Sequence, residues 1–144
     1  MTMTLPLLVD TPGADVAFLI GRVLFGAVLA FTGLNHFLDL DAMSGYAEMK
    51  GIPAPRLSVA FSGGMLVFGG LGVALGVFPI IAAGALAVFL LVTTPMMHDF
   101  WAAPEDQQQQ EMTQFLKNVA LLGGALVLLV LGGADWAYSL GIGL

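Results

Sequence analysis

Long apolar stretches separated by short polar segments run along the chain, and their lengths predict its elements. A helix crosses the roughly 30 Å hydrocarbon core of a bilayer with about 20 apolar residues. One such stretch covers residues 16–38, and another covers 57–97 without any charge. The second is too long for one crossing. Because Pro79 lies near its middle and proline favours a helix start, we expect one helix to end at residue 78 and another to begin at Pro79.

A fourth apolar stretch, residues 118–134, completes the pattern, and we expect its helix to begin a turn or two earlier, near Glu111, outside the apolar stretch. The chain is thus predicted to be all-α: one membrane domain over residues 1–144, with four transmembrane helices spanning about 16–38, 57–78, 79–97 and 118–134. Helices are favoured because lipid offers no partner to an unpaired backbone group. Four crossings leave both termini on one side of the membrane, the terminal end, and the polar loops 39–56 and 98–117 on the other, the loop end.

The composition excludes a soluble domain. Charged residues make up 10% of the chain and apolar residues 58%, with a mean hydropathy of +0.94, whereas soluble domains carry about 25% charged residues. The lipid bilayer is therefore the expected environment. The chain has no cysteine, which excludes disulfide chemistry and thiolate metal sites within it. Its net charge of −6 argues against nucleic acid as a partner.

The distribution of basic residues predicts the orientation of this multi-pass protein in the cell membrane. Lys50, Arg56 and Lys117 lie in the polar loops, and Arg22 lies near the terminal end. Loops rich in lysine and arginine usually face the cytoplasm. We therefore expect loops 39–56 and 98–117 to be cytoplasmic.

Arg22 is the one Lys, Arg, Asp or Glu inside a predicted span. Charges within the membrane usually face the interior of a bundle and pair there. The predicted topology places Asp135, at the end of the fourth helix, at the same level. We therefore expect a structural ion pair between Arg22 and Asp135. The alternatives are that Arg22 extends to the headgroup region or that it has a direct functional role.

Polar and aromatic residues gather at the loop end. The topology brings one set to a single level of the bundle: Asn35, His36, His98, Asp99, Trp101, Lys117 and Asn118. Two histidines, a carboxylate and an aromatic wall could hold a quinone headgroup or another small molecule, hydrogen-bonding its carbonyls and handling protons. The ordinary alternative is that these side chains cap helix ends in the headgroup region. The same set could also ligate a metal, although two His and one Asp without fixed spacing are a weak signal for one.

Several short motifs occur in an order that resembles one known family. They are Arg22 and Gly26 ahead of Gly33-Leu34-Asn35-His36-Phe37, the turn Gly51-Ile52-Pro53-Ala54-Pro55, the pair Gly69-Gly70, His98-Asp99-Phe100-Trp101, and Phe115-Leu116-Lys117-Asn118 ahead of Gly123-Gly124. On these motifs the chain resembles the DoxX family of small four-helix membrane proteins over about residues 19–130. It departs at Leu66, where many members carry a glutamate, so a proton-handling role of that glutamate is absent here.

The resemblance leaves a choice between functions. Some members resemble the membrane subunit of a thiosulfate:quinone oxidoreductase, and others are associated with redox-stress enzymes as a membrane anchor. Glycine-rich helix faces favour a non-catalytic scaffold, anchor or homo-oligomer. The alternative is a quinone-binding membrane subunit of an oxidoreductase complex, with a redox partner subunit that carries the electron-transfer cofactor. The lesser alternative is a small transporter or channel, which needs polar groups near the bilayer midplane.

Overall fold

Five α-helices follow one another through residues 11–143, the part of the chain that the computed structural model describes. They are α1 (Ala14–Leu38), α2 (Leu40–Met49), α3 (Pro55–Leu75), α4 (Pro79–Met97) and α5 (Gln108–Leu131), with a short 3-10 helix at Phe100–Ala102. Four of them, α1, α3, α4 and α5, are long and apolar enough to cross a membrane. The predicted all-α fold with four spanning helices is therefore confirmed. Residues 1–10 and 144 of the predicted domain lie outside the described residues.

The helix bounds differ from the expected ones where helices leave the membrane. The loop 39–56 contains α2, which packs on α3. The helix α5 begins at Gln108, three residues before the expected start near Glu111, and its polar first turns precede the apolar stretch. At the other end, α3 stops at Leu75 rather than at residue 78 because Gly76 adopts a left-handed conformation (φ 70°) and ends the helix.

Glycines bring α1 and α3 into close contact. Gly26 of α1 faces Gly70 of α3, and Gly33 faces Gly63. A Cβ atom added to Gly33 would lie 2.6 Å from the carbonyl oxygen of Gly63, closer than atoms of these types approach one another. Small residues at these positions allow the two backbones to pack directly. The helix α4 packs against both α3 and α5.

The interior between the helices is apolar. Its fully buried centre includes Leu66, Val73, Leu86 and Leu90. Leu66, which stands where the sequence departs from the family pattern, has none of its surface exposed. Most large apolar side chains on the outer faces of the four spanning helices are exposed, as expected for helices surrounded by lipid.

The C-terminal segment 132–143, which we call the strap, folds back across the terminal end. Its backbone pairs with the turn between α3 and α4: the Leu140 N–H donates to the Leu75 carbonyl at 2.8 Å, and the Phe78 N–H donates to the Ile142 carbonyl at 2.6 Å. The strap therefore closes one end of the bundle, and α2 lies at the opposite end.

Candidate ligand site at the loop end

Arg22 lies at the terminal end, under the strap. Its side chain is 1% exposed, and its guanidinium donates to the carbonyl of Ala137 at 2.8 Å and to that of Tyr138. Two aromatic rings flank it, with centroids 5.3 Å (Phe18) and 5.5 Å (Trp136) from the guanidinium carbon, distances typical of cation–π contacts. Arg22 therefore fixes the strap to α1.

The expected ion pair between Arg22 and Asp135 is not formed within residues 11–143. The Asp135 side chain is exposed, in a segment that follows the end of α5. Because the chain leaves the helix after Leu131, carbonyls of the strap are free of helical hydrogen bonds and reach the guanidinium. Arg22 does not extend to the surface either, since it is buried.

Two of the predicted loop-end residues belong to links between helices. Asp99, just after α4, forms an ion pair with Lys50 at the end of α2, and the Tyr46 hydroxyl of α2 donates to the Met97 carbonyl at 3.3 Å. The hydrogen bond to Asp99 raises the pKa of Lys50 above its ordinary value. These contacts attach α2 to the end of α4.

His98 forms the second link. Its Nδ1 lies 2.9 Å from a carboxylate oxygen of Glu111 in the first turn of α5. Both side chains are partly buried, with 26% and 17% of their surfaces exposed. The contact joins the end of α4 to the start of α5, so His98 is engaged within the protein.

Two further predicted residues lie at the periphery. Trp101 makes edge-to-face contacts with Phe100 and Phe115, with centroids 5.3 and 5.9 Å away. It remains 59% exposed, as suits an aromatic ring in the headgroup region. The exposed ammonium of Lys117 donates to Gln114 at 2.6 Å. Neither residue faces the interior of the bundle.

His36 of α1 is held differently. Its Nδ1 lies 3.3 Å from the Val59 carbonyl and 3.3 Å from the Ser62 hydroxyl, both on α3. The ring of Phe89 from α4 is 6.2 Å from the imidazole, centroid to centroid. These polar distances are long for hydrogen bonds. His36 is therefore half-buried among three helices with its hydrogen-bonding capacity only weakly used. The preceding residue, Asn35, is also half-buried.

The register between α3 and α4 places Thr94 at the level of His36 and Ser62. A Cβ atom on Gly69 would lie 2.9 Å from Leu86, which identifies these two residues as neighbours. The two helices are antiparallel. A step of seven residues toward the loop end therefore goes from Gly69 to Ser62 on α3 and from Leu86 to Thr93 on α4. Thr94 follows directly.

The register between α4 and α5 adds Asn118 to the same level. A Cβ atom on Gly84 would lie 3.8 Å from Leu129. A step of ten residues toward the loop end goes from Gly84 to Thr94 on α4 and from Leu129 to Val119 on α5. Val119 is next to Asn118, which is half-buried. By this register, one polar residue from each spanning helix lies at a similar level of the bundle: His36, Ser62, Thr94 and Asn118. We call this level the polar layer.

Thr94 carries an unpaired hydroxyl. Its side chain is 4% exposed, and its Oγ1 has no hydrogen-bond partner. The adjacent Thr93 instead donates to the carbonyl of Phe89 at 2.6 Å. A buried hydroxyl without a partner costs about 1–3 kcal/mol and calls for an explanation. Within residues 11–143, the other such atom is the Ser44 hydroxyl of α2, also at the loop end.

The structure therefore divides the predicted site residues. Asp99 and His98 form links between helices, Trp101 and Lys117 lie at the periphery, and His36 and Asn118 belong to the polar layer. Ser62 and Thr94 were not among the residues predicted for this site. Both interrupt apolar stretches, which is the signal that could have found them. The layer offers neutral donors and acceptors in an apolar interior.

Comparison with known proteins agrees with the architecture. The chain is 26% identical to the inner membrane protein YphA of Escherichia coli (strain K12) over 117 residues, which cover 81% of this chain and 84% of that protein. No solved structure matches the chain. The family model DoxX matches residues 17–99, more than half of the chain. This multi-pass membrane protein therefore belongs to the DoxX family.

Proposed function

We propose that this protein is a non-catalytic membrane subunit that binds a quinone-class headgroup in the polar layer, while a redox partner subunit supplies the electron-transfer cofactor. The unpaired hydroxyl of Thr94 carries the proposal. A buried donor is stabilised when a ligand accepts its hydrogen bond. Because the Thr94 hydroxyl has no protein partner, a ligand carbonyl at this level would supply one.

The chemistry of the layer favours a neutral ligand with carbonyl groups. Hydroxyl, amide and imidazole groups can donate to the two oxygens of a quinone. Within residues 11–143, the partly buried charged groups at the loop end are already paired, since His98 faces Glu111 and Lys50 faces Asp99. A charged ligand would therefore find no counter-charge in the layer.

Replacement of Thr94 by valine tests the proposal. We expect Thr94→Val to weaken binding of a tailless benzoquinone to the protein in lipid nanodiscs by about tenfold, since one hydrogen bond contributes about 1–1.5 kcal/mol. The same change should raise the stability of the ligand-free protein, because it removes an unpaired polar group. Thr93→Val is the matched control, as the Thr93 hydroxyl is paired within its own helix. Unchanged quinone binding by Thr94→Val would contradict the proposal.

A scaffold formed by self-association is the second candidate. Gly64 of α3 and Gly123 of α5 support it, because a Cβ atom at either position would meet nothing within 4 Å. Packing within one chain does not explain these two glycines. The mass of the particle extracted in mild detergent tests this candidate: several copies, reduced to one by Gly64→Leu and Gly123→Leu, would support it. A single copy in the unmodified protein would exclude it.

A further inference from the structure

The outer seam between α3 and α4 contains an apolar groove with a volume of about 460 Å³. We propose that this groove holds the apolar tail of a membrane-soluble amphiphile whose headgroup binds in the polar layer. The inference rests on the proposed function and adds a property of the ligand, namely a single hydrocarbon tail that runs from the loop end toward the terminal end.

The groove begins close to the polar layer. Its first lining residue on α3 is Met65, three residues after Ser62 and therefore on the same face of the helix, about 4.5 Å along its axis. From Met65 the groove follows α3 to Leu75, about 15 Å at the helical rise, and ends beside Phe78. A molecule with its head beside Ser62 would thus have its tail directed into the groove.

The lining suits a hydrocarbon chain. Small residues lie in it, including Gly69, Gly72 and Ala82, and large ones such as Phe68 and Ile81 border it. Phe68 and Ile81 are 77% and 60% exposed on the outer surface. The groove therefore opens sideways toward lipid, so a tailed ligand could enter from the bilayer.

The position of the groove favours a ligand tail over a helix from a second copy. The groove begins about 4.5 Å along α3 from Ser62 and continues for about 15 Å. A hydrocarbon chain attached to a headgroup in the polar layer would therefore lie along it. We therefore assign the groove to the tail of a ligand, and a second copy becomes an outcome of the test.

The experiment compares two quinones with the same headgroup, one tailless and one with a ten-carbon tail, bound to the protein in nanodiscs. Ala85 lines the groove and is half-buried, so Ala85→Leu should fill part of it. We expect Ala85→Leu to weaken binding of the tailed quinone about tenfold and to leave the tailless one unchanged. Ala120→Leu, on the exposed surface of α5, is the matched control and should affect neither.

The results distinguish the headgroup site in the polar layer from the assignment of the groove to a tail. If the tailless quinone does not bind the unmodified protein, the headgroup site is wrong and the groove assignment fails with it. If it binds but Ala85→Leu leaves the tailed quinone unaffected, only the groove assignment is wrong. A change in the number of copies per particle without a change in binding would assign the groove to a second chain. Photo-crosslinking from the tail end to residues 71–78 of the unmodified protein gives a readout that requires no variant.

Discussion

Replacement of Gly33 by alanine tests the close packing of α1 on α3. The added Cβ would lie 2.6 Å from the carbonyl oxygen of Gly63, 2.7 Å from the Leu66 Cβ and 2.8 Å from the Val67 nitrogen. Two of these atoms belong to the backbone, so no side-chain rotation relieves the contact. Since favourable contacts between such atoms lie near 3.5 Å, the helices must separate locally by about 1 Å.

The expected cost follows from overpacking, which destabilises a well-packed interior by about 1–3 kcal/mol. Gly21→Ala is the control. It lies in the same helix and is exposed, and its Cβ would meet nothing within 4 Å. At position 21, alanine restricts the backbone of the unfolded chain more than glycine does. This stabilises the folded protein by about 0.4–1 kcal/mol. The free energies of unfolding of the two variants should therefore differ by about 1.4–4 kcal/mol.

Unfolding in mixed micelles of a mild detergent and SDS, followed by circular dichroism, measures this difference. Gly33→Ala should unfold at a clearly lower SDS fraction than the unmodified protein, and Gly21→Ala at an equal or higher one. If Gly33→Ala is as stable as Gly21→Ala, α1 and α3 do not approach at Gly33 as the structure has them. The reasoning about glycine in this interface would then be refuted.

Three further predictions concern the two ends of the bundle. Arg22→Met removes the donors that hold the strap, so Trp136 fluorescence should shift to the red and become accessible to a soluble quencher; an unchanged spectrum would show that the strap stays in place without Arg22. Because the pKa of Lys50 is raised in the folded protein, its contribution to stability should be complete below the unfolded pKa of about 10.4 and be lost as the pH rises through the higher folded value. Asp99→Asn should flatten that alkaline dependence, and an equal loss in both proteins would contradict the prediction. A single cysteine at Gln109, in a chain that has none of its own, should react with an impermeant maleimide only after cells are opened; reaction in intact cells would reverse the proposed orientation.

Most of the membrane-embedded architecture could be predicted because one physical constraint dominates it. A spanning helix needs a long run of apolar residues, and such runs are visible in the sequence. Pro79 marked the start of α4 correctly. The helix α2 was not predicted, since it has only ten residues and lies outside the membrane. Its place depends on tertiary contacts such as the one between Lys50 and Asp99.

The candidate site was harder to predict. Two residues at the same level of the bundle do not have to be hydrogen-bonding partners. Arg22 and Asp135 are close in level, yet the guanidinium binds the carbonyls of Ala137 and Tyr138. Hydropathy carries no information about where a backbone turns after a helix ends. In the same way, His36 and His98 looked equivalent in the sequence, but only His98 has a carboxylate within reach, Glu111.

The depth of the polar groups limits which ligands the loop end can accept. Its charged residues lie at helix ends and in loops, where ion pairs remain close to water. The polar layer, about one turn deeper, contains hydroxyl, amide and imidazole groups but no carboxylate, lysine or arginine. Removing a charge from water without a counter-charge costs several kcal/mol, so an ion at that depth would be poorly stabilised. Within the described residues, the one fully buried charge, Arg22, lies under the strap at the opposite end. This arrangement argues against a path for ions through the bundle and favours a neutral ligand that enters from the lipid.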